Sequence, residues 1–67
     1  MTWIRFDMGN DAILLCCESG AYFSLTRDSK NIDYSLPNSD SIVTKDFPTK
    51  EDAGNQFIAL EKKLCAP

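Results

Sequence analysis

With 67 residues and a net charge of −3, from ten acidic and seven basic side chains, the chain has room for one small domain. Its cations are scattered (Arg5, Arg27, Lys30, Lys45, Lys50, Lys62, Lys63), which argues against a nucleic-acid binder, since that affinity rests on neutralising phosphates. A hydrophobic content of 43% lies outside the disordered range; but a domain of this size buries only about 60% of the surface its unfolded chain exposes, so a staple or a partner is expected to support it.

The opening stretch MTWIRFDMGND has no basic segment followed by a long apolar run, so it does not read as a secretory signal. No apolar stretch approaches the roughly 18 residues of a membrane-spanning helix. The expected setting is the cytoplasm of a bacterium or of a phage-infected cell, with no membrane partner. The alternative is a mature secreted peptide whose signal has been removed.

Turn-forming clusters then divide the chain. GND separates TWIRFD from AILLCC, SG separates that run from AYFSLT, RDSKN precedes IDYSL, and PNSD precedes SIVTKDF, which Pro48 closes. The runs between them are short, rich in aromatic and branched side chains, and several alternate at period two. They predict four to five short strands within residues 2–47, joined mainly by hairpins. Around Ser19-Gly20 two readings stay open: two strands, or one long strand bulged at Gly20. After Pro48 the period changes. Thr49 is a good N-cap, with Glu51 and Asp52 in the first turn. Ala53, Phe57, Leu60 and Leu64 then mark one face of an amphipathic helix over about 49–65, with Lys62 and Lys63 in its last turn. The predicted fold is α+β: a small antiparallel sheet with one C-terminal helix packed on one face, a single domain over 1–67.

Adjacent strand residues point to opposite faces, so one helix cannot cover every apolar side chain. Ile4/Phe6, Phe23/Leu25 and Ile42 are assigned to the helix-covered face, and Ile32/Tyr34/Leu36 alternate in the same way. Trp3, Tyr22, Val43 and Phe47 are offset by one from their apolar neighbours. They form the candidate interface on the other face, where a large apolar patch generally marks an interaction surface and Trp and Tyr are favoured anchors.

The cysteines, Cys16, Cys17 and Cys65, are odd in number and lack C-x-x-C spacing, and the chain has no histidine. That composition is far from a structural zinc site or a disulfide framework. Apolar neighbours and Glu18 disfavour a thiolate at Cys16 and Cys17, which read as small buried hydrophobes of a strand, with Cys65 the most accessible thiol. A pairing of Cys65 with Cys16 or Cys17 is left open. Elsewhere there is no G-x-S-x-G, no phosphate loop and no histidine base. DSKNID, residues 28–33, offers oxygens but lacks the glycine and terminal glutamate of a calcium loop. No catalytic, metal or cofactor-binding residue is therefore expected.

Several short strands ending in IVTKDFPTKEDAGNQFIALEKKL form an order of elements that resembles the FlbD-like small flagellar proteins. The asparagine-glycine turn of that family would fall near Asn38, where this chain has PNSD, and no function is carried over. The functional expectation is a non-enzymatic protein–protein interaction module: an adaptor, or an inhibitor encoded by a phage or mobile element, that docks on a larger protein. The alternative is an obligate homo-oligomer whose second sheet face is its own interface, enclosing a small ligand. A small enzyme using its Asp and Glu side chains is the third reading.

Overall fold

A computed structural model describes residues 2–35 and 41–65. It contains a five-stranded antiparallel sheet and one C-terminal helix. The strands are β1 (Trp3–Met8), β2 (Asp11–Cys16), β3 (Tyr22–Thr26), β4 (Asn31–Ser35) and β5 (Ile42–Asp46), and the helix is α1 (Lys50–Leu64). Strand order in the sheet is the order in the chain. This is the small α+β fold that the turn spacing and the change of period predict.

The hairpins close where the backbone can take unusual dihedrals. Met8 pairs with Asp11, leaving Gly9-Asn10 as a two-residue loop. Gly9 there has φ +61°, as hairpin loops with glycine in first place require. Between β2 and β3 the chain turns at Cys17–Ala21, where Gly20 has φ +78°. The Cys16 N–H donates to the Ala21 carbonyl at 2.8 Å and the Gly20 N–H to the Cys16 carbonyl at 2.9 Å. This closed turn makes 12–26 two strands rather than one bulged strand. In the β3–β4 turn Asp28 takes φ +63°, a conformation that Asp tolerates better than most residues. The PNSD turn and Leu36 lie outside the described residues.

At the start of α1 the Thr49 hydroxyl accepts the Asp52 N–H at 3.1 Å, satisfying one of the free donors of the first turn. Glu51 and Asp52 sit at the positive end of the helix and Lys62 and Lys63 at the negative end. Ala53 and Phe57 are buried, while Leu60 and Leu64 are half-buried on the same face.

Register decides what that helix meets. Leu14 lies opposite Phe23, and Phe23 opposite Tyr34. Leu14, Ile32 and Phe57 form the buried centre, with Trp3, Ala12, Phe23, Leu25, Phe47, Leu60 and Cys65 packed around them. Two of the predicted face assignments are therefore reversed. Trp3 pairs with Cys16, which is fully buried, and its ring is 5.9 Å from that of Phe23. Trp3 belongs to the helix-covered side, and Ile4 and Phe6 to the other. Likewise Val43 lies opposite Tyr34 on the helix side, and Phe47 packs against the core. The physical reason is that alternation fixes which residues of one strand share a face. It does not say which of the two faces the helix will cover. Only Tyr22, of the four candidate interface residues, emerges on the uncovered side, since it pairs with Leu15 while Phe23 pairs with Leu14.

Candidate interaction surface

The uncovered face is built from side chains that the cross-strand pairings bring into rows. One row runs Ile4–Leu15–Tyr22–Ser35–Ile42 and a second Phe6–Ile13–Ser24–Asp33–Thr44. In both, β1 and β2 contribute large apolar groups; the first row stays apolar through Tyr22, turns polar at Ser35 and ends on the exposed Ile42, and the second is polar from Ser24 onward. Met8, opposite Asp11, extends the apolar part along β1. Ile4 and Met8 are 43% and 61% exposed, and Phe6, Ile13, Leu15 and Tyr22 are half-buried only by one another and the sheet. A shallow depression between Phe6, Ile13, Leu15 and Tyr22 reaches Asp11 and Ser24. Sequence reasoning placed an apolar surface opposite the helix and found Tyr22. It missed Ile4 and Phe6, because their alternation was read as core, and Met8, which it left outside the first strand.

Polar groups on this face are tied down across strands. The Thr26 hydroxyl donates to Asp11 at 2.7 Å, the Thr44 hydroxyl to Asp33 at 2.6 Å, and the Asn31 amide to Asp46 at 3.2 Å. The partners are neutral Thr and Asn side chains, so none of these bonds is an ion pair. Ion pairs among the described residues lie elsewhere: Arg5 with Asp7 and Glu61, and Lys50 with Asp28.

Other candidate chemistry is weaker. An open cleft beside the first turn of α1 is lined by Asp7, Asp11, Arg27, Asp28, Lys50 and Glu51. Most of those charges are exposed to solvent, and two of them pair with each other across it. Among the described residues no polar or charged side chain is buried, and no three His, Cys, Asp or Glu side chains gather as metal ligands. No helix among them is long and apolar enough to cross a membrane.

The cysteines are free and separate by environment: Cys16 buried, Cys65 intermediate, Cys17 exposed. This corrects the expectation for Cys17, which lies in the turn beyond β2, and makes Cys17 rather than Cys65 the accessible thiol. Cys16 differs from expectation in its electronics as well. Hydrogen bonding to the Ser19 hydroxyl and backbone lowers its pKa from the ordinary thiol value, outweighing the upward push of burial. Its sulfur also lies 3.6 Å from Glu18 Oε1. Glu18 in turn accepts the Thr2 backbone N–H at 2.7 Å, and hydrogen bonding from Thr2 holds its pKa below the usual carboxylate value. These contacts lock the second turn to the start of β1, where the Cys17 N–H also donates to the Thr2 carbonyl at 2.8 Å. No protein-family model matches the chain, and no curated protein or solved structure matches it.

Proposed function

We propose that the protein is a non-enzymatic interaction module that docks on another protein through the uncovered face of its sheet. One observation carries this reading. Ile4, Phe6, Met8, Ile13, Leu15 and Tyr22 are brought from three strands into one contiguous apolar surface that α1 does not cover. Leaving such a surface in water forgoes roughly 25 cal/mol for each Å² that a partner could bury. For a chain of this size the gain also supports the fold itself, since binding only to the folded state shifts the folding equilibrium. The free thiols suit a reducing compartment, and the module acts in the cytoplasm of a bacterium or of a phage-infected cell, as an adaptor or as an inhibitor of a larger protein.

The test is comparative capture. Wild type, an Ile4→Ser/Phe6→Ser variant and the distant Lys62→Ala control are immobilised and challenged with the same lysate. Proteins retained by wild type and Lys62→Ala but lost from the face variant support the reading. Identical retention by all three overturns it. A homo-oligomer would use the same face, so equilibrium sedimentation of wild type and face variant separates self-association from docking.

A further inference from the structure

The uncovered face carries a charge pattern that names the chemistry of its partner. Its strand positions include Asp11, Asp33 and Asp46 and no Lys or Arg. The two strand cations, Arg5 and Lys45, point to the helix side, opposite Leu14 and Ile32. All three carboxylates are fixed by neutral Thr or Asn partners, and none has an ion-pair partner among the described residues. The surface is thus largely apolar along β1 and β2, and every charged strand position on it is acidic.

We infer that this face seats a cationic amphipathic helix of a partner protein, with its apolar side on Phe6, Ile13, Leu15 and Tyr22 and its Lys or Arg side chains over Asp33 and Asp46. This rests on the docking reading above. Spacing supports a helix: Asp33 lies two strands from Ile13 in the same row, about 10 Å away at ordinary strand separation, which is about one helix diameter. A helix centred over the β1–β2 rows therefore brings its flank within reach of the carboxylates. A flat sheet face takes a helix, as the opposite face takes α1, whereas an added strand would use an edge. Stacking a second copy about a two-fold that crosses the strands would oppose carboxylate to carboxylate with no cation between them, which disfavours that arrangement. An anionic membrane surface is disfavoured for the same reason.

The probe is a synthetic 18-residue leucine/lysine amphipathic helix, compared with its leucine/glutamate counterpart, titrated by calorimetry against the full chain at low and at physiological salt. The lysine peptide should bind and the glutamate peptide should not. Asp33→Asn/Asp46→Asn should weaken binding by about three- to tenfold, less at high salt, and Ile4→Ser/Phe6→Ser by about tenfold or more. Circular dichroism melts verify that each variant is folded, and the Asp→Asn pair spares the core, so it remains informative if the apolar variant unfolds. Failure of the lysine peptide to bind, equal binding of both peptides, or indifference to the Asp→Asn pair overturns the inference. If captured proteins still depend on Ile4 and Phe6 while the Asp→Asn pair retains them, the docking reading stands and the cationic partner does not. If sedimentation shows a dimer that Ile4→Ser/Phe6→Ser dissociates, the occupant is a second copy and the inference is likewise overturned.

Discussion

Adjacent in sequence, Cys16 and Cys17 are far apart in environment, and that separates their chemistry. Cys16 has a lowered pKa but no exposed surface, so a reagent reaches it only when the second turn opens. Cys17 is exposed in that turn. Native thiol labelling followed by mass spectrometry should therefore modify Cys17 first, Cys65 next and Cys16 last, and the Cys16 rate should rise steeply with denaturant. Rapid labelling of Cys16 in the native state would mean the Thr2–Glu18 lock is open. Glu18 gives a separate handle on that lock. Because its pKa is lowered by folding, its stabilising contribution is present above the unfolded carboxylate value and is lost as pH falls through the folded value. Glu18→Gln should lower stability at neutral pH, where that contribution is present, and converge on wild type in acid, so that its acid limb is flatter. If the two acid limbs superimpose, the Thr2 contact does not persist in solution.

Among the elements, α1 tests the packing most directly. Phe57 is 2% exposed at the centre of the core, and truncating such a ring costs about 3–5 kcal/mol, comparable to the whole stability of a small domain. Phe57→Ala should leave the protein largely unfolded, Thr49→Ala should lower stability by about 1 kcal/mol through loss of the cap, and Lys62→Ala should be nearly silent. At Gly20 an added Cβ would meet nothing within 4 Å, so the cost of Gly20→Ala is conformational, about 1–2 kcal/mol. Chemical denaturation ranks all four. These elements were legible in the sequence because their signals are local: Thr49 caps the helix that follows it, and Gly9-Asn10 turns the strands beside it. The faces of β1 and β5 were not legible. Whether Ile4 or Trp3 meets the helix depends on Trp3 pairing with Cys16, a long-range fact that no period-two pattern contains. The acidic flank was missed for a related reason, since Asp11, Asp33 and Asp46 are scattered in the chain and become one surface only through pairing.

For the whole molecule, the reassignment of Trp3 changes what its fluorescence reports. Trp3 packs beside Phe23 and against the buried core on the helix side of the sheet. Its emission should follow closure of the core, with little response to a ligand on the opposite face, and Trp3→Ser should lower thermal stability before it affects binding. The strand order carries a different consequence, in time rather than in space. Every strand pairs with its neighbour in the chain, so each pairing closes a short loop at small entropic cost, and such local topologies fold fast. The fifteen residues of α1 come after all five strands, so during synthesis the sheet is made before the element that shields its core. This order predicts that the helix docks late, after the rate-limiting barrier. Weakening α1 by a partial truncation, Leu60→Ala, should accelerate unfolding with almost no change in the folding rate, whereas Gly9→Val in the first hairpin should slow folding. Until α1 arrives, the nascent sheet presents two apolar faces instead of one, and in that interval the chain is at its greatest risk of sticking to other proteins.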